Sequence, residues 1–182
     1  MHAERRTTVN KQTPYIILLA TSVALFCSTQ TVAQTNSCAS NHEAQQLDYW
    51  VGDWSIAAPG RAPDASSHVS LSLDKCVIVE NWKGENDHFG ENVFGYSAND
   101  KSWKGFFADN RGHVHIFVDG RVTAGKAEFE GPSLGEHGEK VLNRIRLTQL
   151  SADKVEQTWD KSTDNGVTWK PQFRLVYTRK KS

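Results

Sequence analysis

Glu80 lies in the segment Cys76–Lys83 (CVIVENWK), where Cys76, Ile78, Glu80 and Trp82 alternate onto one face of an extended chain. If that face is interior, a carboxylate stands beside an indole in low dielectric and its pKa rises. A general acid or base is prepared in that way. The plainer role is a buried polar anchor for ligand or core, satisfied by Gln157, Arg144 or a bound water. Asp109 is the second acid/base candidate. His113-Val114-His115 puts two imidazoles on one strand face. With Glu80, Asp109 or His88 as third ligand, that pair would suit zinc or iron. The opposite parity makes Val114, Ile116 and Val118 the natural inward set and leaves both histidines in solvent. That parity is the expectation, so no metal site is assigned.

The same parity gathers Asn92, Phe94 and Tyr96 on one segment and Phe107 with Asp109 on the next. It adds Val155, Gln157 and Trp159, then Phe173, Leu175 and Tyr177. Aromatic walls with a few hydrogen-bonding heads are the usual chemistry of a small-molecule pocket. The expected ligand-binding set is therefore Glu80, Trp82, Asn92, Tyr96, Phe107, Asp109, Gln157, Trp159 and Tyr177. Ser-His-Asp order, a Walker loop, a Rossmann glycine pattern and C-x-x-C are all missing from the sequence, and no cofactor is expected. Ser162–Trp169 (STDNGVTW) fits the Asp-box, a hairpin whose serine and aspartate satisfy turn amides; it reads as a structural turn.

The elements that must position these residues are strands. From His68 the period is two: His68–Leu73, Cys76–Lys83, Glu91–Ser97, Trp103–Asp109, His113–Val118, Lys126–Glu130, Lys140–Thr148, Lys154–Lys161 and Trp169–Arg179. Asp119-Gly120, Gly131-Pro132 and Asn165-Gly166 are among the breakers between them. An earlier strand starts at Trp54 and Ile56, after a short helix within His42–Trp50. This predicts an all-β antiparallel meander of about 8–10 strands, closed into a barrel to hide its two edges. A two-sheet sandwich is the alternative.

Arg5, Arg6 and Lys11 precede an apolar run, Tyr15–Phe26, too short to span a bilayer comfortably. Thr31-Val32-Ala33 offers a signal-peptidase site, so residues 1–33 read as a signal peptide and the protein as periplasmic or secreted. Residues 34–46 read as a flexible mature N-terminus and 47–179 as a single barrel domain. Without Arg5, Arg6, Lys11 and Glu4 the chain keeps 18 basic and 20 acidic side chains. A balance near zero with interspersed signs gives no electrostatic case for nucleic acid or an anionic membrane. The partner expected is a small molecule; oligomeric state is not legible. Cys38 and Cys76 are the two cysteines left after cleavage, and an oxidising compartment predicts a disulfide between them.

Leu47–Trp54 (LDYWVGDW), Cys76–Trp82, Tyr96–Trp103, Val155–Trp159 and Ser162–Trp169 together resemble a bacterial family of secreted domains of unknown function. The resemblance spans about residues 47–178. It departs at Asp74-Lys75, where a glycine is usual before the cysteine, and at Phe106-Phe107, which replaces a tryptophan-valine step. It implies a calycin (lipocalin)-like barrel and no agreed activity. In such barrels a Gly-x-Trp closes one end and an arginine from the last strand packs over the indole. Gly52, Trp54 and Arg179, or Arg174 if the parity slips, would take those roles here. Some small barrels of this type hold haem through one histidine, but their glycine-rich opening is missing. Three functions follow as expectations: a ligand-binding barrel, an enzyme using Glu80 or Asp109, or a solid-core interaction module.

Overall fold

The computed structural model describes residues 38–181, so the expected leader at 1–33 lies outside the described residues. Ten strands follow the period-two segments: β1 (Gly52–Ala57), β2 (Ala65–Ser72), β3 (Val77–Lys83), β4 (Phe89–Ser97) and β5 (Ser102–Asp109) form the first half. β6 (Val114–Thr123), β7 (Lys126–Leu134), β8 (Lys140–Ser151), β9 (Lys154–Ser162) and β10 (Lys170–Arg179) form the second. Asp119-Gly120 and Gly131-Pro132, expected as breakers, lie inside β6 and β7, and the turn between those strands is made at Ala124-Gly125, with Gly125 at φ 74°. Each strand pairs antiparallel with its chain neighbour, and β1 closes the ring on β10. The sheet has no free edge, which removes the row of unpaired backbone groups an open meander would expose. Among the described residues no helix is long and apolar enough to cross a membrane.

One end of the barrel is solid. Trp50, Trp54, Phe94, Phe117, Phe129, Ile145, Leu147 and Val155 are buried there in one cluster. Phe94 lies 4.3 Å from Phe129 and 6.4 Å from Phe117 between ring centroids. The chain before β1 crosses this end as three 3-10 turns, Cys38–Ser40, Glu43–Gln45 and Asp48–Trp50, rather than as one helix. Ala44, Leu47 and Trp50 bury together. Their spacing of three matches the three residues per turn of a 3-10 helix better than the 3.6 of an α-helix. Residues 38–46, expected to be loose, are seated by those turns and by the disulfide Cys38–Cys76, which closes a separation of 38 residues.

The seam between β1 and β10 carries the plug. Trp54 pairs with Arg179 in register, and the guanidinium lies 4.1 Å from the centre of its ring. Arg179 also donates to the carbonyls of Val51 (2.8 Å) and Tyr49 (3.2 Å), tying the last strand to the last 3-10 turn. The Trp54 indole N–H donates to Trp50 O at 2.8 Å. Gly52 is required for this approach: it has φ +139°, and a Cβ there would stand 2.2 Å from Arg179 Nη1. Arg174 points outward and pairs with Glu156 instead.

The parity of β6 is the reverse of the sequence expectation. Val114, Ile116 and Val118 are 53, 56 and 51 % exposed, while His115 and Phe117 turn inward. Phe117 stands opposite Gly105 of β5, and its ring shares with that of Phe94 the space the glycine leaves, the two lying 3.1 and 2.6 Å from where a Cβ would stand. Counting apolar residues favours the other face; what decides is fit, because only this face offers a ring the space beside Gly105. The Asp-box behaves as a turn: Asp164 accepts from Thr168 N and Oγ1 at 2.8 and 2.6 Å, and Ser162 Oγ accepts from Gly166 N at 2.8 Å.

Two stability outcomes follow. Trp54→Ala should cost about 3–5 kcal/mol of unfolding free energy in urea titrations, as for other buried large aromatics. Leu73, Asp74 and Lys75 form a left-handed run with φ of 48, 53 and 65° just before Cys76. Lys75→Gly should therefore raise the urea midpoint, by about 1 kcal/mol in stability; a lowered midpoint would mean the turn is not strained.

Candidate functional site

The other end of the barrel is hollow. Ten strands enclose more width than the eight whose side chains just fill a barrel, and a cavity of about 440 Å³ remains above the phenylalanine cluster. It lies at the end where β1 leads to β2 and β3 to β4, opposite the plug. Eight of the nine expected ligand residues line it: Glu80, Trp82, Asn92, Phe107, Asp109, Gln157, Trp159 and Tyr177. Tyr96 does not. It is two residues past the buried Phe94, toward the plug, and packs 6.0 Å from Trp103. Sharing a strand face with Asn92 gave it the right side of the sheet and the wrong end of the barrel.

Aromatic rings make the wall. Trp82 and Phe107 are parallel within 6°, with centroids 6.4 Å apart. Trp159 stands edge-on to Phe107 at 5.7 Å and beside Phe173 at 5.7 Å. Its N–H donates to Asn143 Oδ1 at 3.1 Å, which fixes the indole's orientation.

Polar groups make the floor. Glu80 is 0 % exposed. Its Oε1 accepts from Ser67 Oγ and its Oε2 from Asn92 Nδ2, both at 2.8 Å. Tyr177 donates its hydroxyl to Gln157 Oε1 at 3.1 Å. Burial pushes the Glu80 carboxyl up to about 7, against the opposing hydrogen bonds from Ser67, Tyr177 and Asn92. Tyr177 rises well above its ordinary value, through burial and the nearby Glu80. The partners are not those expected: Arg144 faces outward, over Trp169 and beside Asp160, and Gln157 serves Tyr177. Ser67 was legible as the residue two before Val69 on the same face of β2, but a serine at a strand start carries little signal.

At the mouth, Asp109 collects two histidines. Its Oδ2 meets His88 Nε2 at 2.9 Å and His113 Nδ1 at 2.8 Å. Its Oδ1 accepts from the amides of Arg111 (3.0 Å) and His113 (2.9 Å). Burial alone would raise this carboxyl, but bonds from His88, His113 and the two amides prevail and hold it well below the usual carboxylate range. Asp109 is thus an orienting anion, leaving His88 Nδ1 and His113 Nε2 for other partners. His115 lines the cavity between Phe107 and Trp159, at 5.7 and 4.8 Å. Burial, then Lys161 and His113, lowers its pKa. Among the described residues no cluster of three or more His, Cys, Asp or Glu is arranged to hold a metal ion. The inward turn of His115 was not readable from β6 alone, while His113 stays 63 % exposed at the mouth.

Glu80 supplies a pH signature. Its folded pKa lies above its ordinary 4.5, so its contribution to stability is complete below 4.5 and lost as the pH rises toward about 7. Wild type should therefore lose roughly 3 kcal/mol relative to Glu80→Gln across that window and run parallel to it above. Urea denaturation of both proteins from pH 4.5 to 8 measures this, and parallel curves throughout would show that Glu80 is not buried as an acid.

No protein-family model matches the chain, and no curated protein matches it. Among solved structures it is similar to that titled "Crystal Structure of Rv2717c from M. tuberculosis", at 12% identity and a TM-score of 0.47 over 77% of this chain and 98% of that one. A likeness at this level says nothing of ligand or activity.

Proposed function

We propose that this chain is an exported barrel that binds a small apolar or aromatic molecule in its open cavity. One observation carries the reading: about 440 Å³ of space walled by Trp82, Phe107, Trp159 and Phe173, with hydrogen-bonding groups gathered at its floor. That volume falls within the range of small-molecule sites, and the pattern of apolar wall with few polar heads is theirs. The Cys38–Cys76 disulfide supports export to an oxidising compartment.

Acid/base catalysis on the bound molecule is the second reading, favoured by Glu80 alone. A carboxyl held near neutrality at the floor of an open cavity has the poise of a general acid or base. Asp109, held ionised, would orient His88 rather than exchange protons itself.

The test is direct. Protein purified without denaturation should release a small molecule on unfolding, seen by native and then denaturing mass spectrometry. Refolded, emptied protein should bind Nile red with energy transfer from tryptophan. Ala65→Trp, at the mouth, should abolish that signal while the melting temperature stays within a few degrees. Dye binding that Ala65→Trp leaves intact would place the apolar site elsewhere and sink the reading.

A further inference from the structure

The floor of the cavity has acceptors to spare and no positive charge. Glu80 is fully buried; Ser67 Oγ and Asn92 Nδ2 donate one to each of its oxygens, and the Tyr177 hydroxyl, shared with Gln157 Oε1, is its third neutral donor. A carboxylate oxygen has room for two. Asn92 is 3 % exposed, and its Oδ1 has no hydrogen-bond partner. Turning that amide over would set its oxygen against the Glu80 carboxylate, acceptor to acceptor. Gln157 Oε1 is occupied by Tyr177. Among the described residues no lysine, arginine or histidine forms an ion pair with Glu80, which is surrounded by neutral donors alone. A buried carboxylate without a counter-cation is costly, and so is a buried carbonyl without a donor. Both needs are met by one group, a charged N–H donor.

The wall suits the same group. Trp82, Phe107, Trp159 and Tyr177 line the cavity above Glu80 and Asn92. Their π faces attract a cation, most strongly when it is desolvated. At the mouth Asp64 and Asp109 face Lys161, with His88, His113 and His115 around them. The two carboxylates outnumber the lysine at this entrance.

We propose that the ligand is an organic amine, whose apolar or aromatic body lies among the rings and whose nitrogen donates to Glu80 and to Asn92 Oδ1. This rests on the cavity being a ligand site, and it names the class of ligand.

A matched trio tests it: tryptamine, tryptophol and indole-3-acetate, which carry a cation, a neutral hydroxyl and an anion on one indole body. Calorimetric titration of purified protein at pH 8, where Glu80 is ionised, should give tryptamine at least tenfold tighter binding than tryptophol, with indole-3-acetate weakest. Glu80→Gln should erase the preference for tryptamine over tryptophol, chiefly by weakening tryptamine. Tryptophol or indole-3-acetate equalling tryptamine in wild type would overturn the amine assignment even if Glu80→Gln did not fold. In that case, Nile red binding blocked by Ala65→Trp would still uphold the cavity reading. Failure of Nile red and all three indoles to bind would overturn both.

Discussion

Closure of β1 onto β10 is the constraint from which the rest of this molecule follows. A ten-strand meander left open would expose two long edges; joined, it exposes none. The joint is made specific by Gly52, Trp54 and Arg179, where a missing Cβ lets a guanidinium lie on an indole and reach two carbonyls beyond it. The same joint ties the 3-10 turns across the end of the barrel. Closing the ring with ten strands also sets its width, and that width is more than the interior side chains fill. The structure resolves the excess by dividing the interior along its axis, with aromatic core at the plugged end and space at the other.

That division explains why a glutamate can be buried without a cation. Near the plug, Glu80 would displace apolar contacts and find no donors. At the boundary between core and cavity it finds Ser67 and Asn92 on its flanking strands, paired in register as Val69↔Glu80 and Glu80↔Asn92. The hydrogen bonds reduce the cost of burial but do not remove it, because the donors are neutral; the carboxyl therefore rises to about 7. Asp109 is the contrasting case. It is nearly as enclosed, with its side chain 3 % exposed, yet two imidazoles and two amides keep it ionised. Two carboxylates in one cavity are thus driven in opposite directions by the number and kind of donors around them.

Alternation and aromatic spacing are local properties, and they were enough to predict an antiparallel meander of about 8–10 strands closed into a barrel, while Asp119-Gly120 and Gly131-Pro132, expected as breakers, are absorbed into β6 and β7. Where a strand is apolar on one face only, parity decides orientation, as it does for Cys76–Lys83. β6 is apolar on both faces, and there the pattern is silent. The outcome depends on Gly105 across the sheet, whose missing side chain leaves room that the Phe94 and Phe117 rings share. Tyr96 shows the complementary limit: period-two reasoning fixes the side of a sheet but not the height along the barrel axis.

The sequence by itself determined the strands, their antiparallel order and the pairing of Cys38 with Cys76, because each depends on neighbours in the chain or on a scarce residue type. Only the tertiary structure decided which end is hollow, that His115 turns inward, that Ser67 and Asn92 hold Glu80, and that Asp109 gathers His88 and His113. Those are contacts between strands far apart in sequence. They are set by how large and small side chains fill a closed ring, and no single strand carries that information.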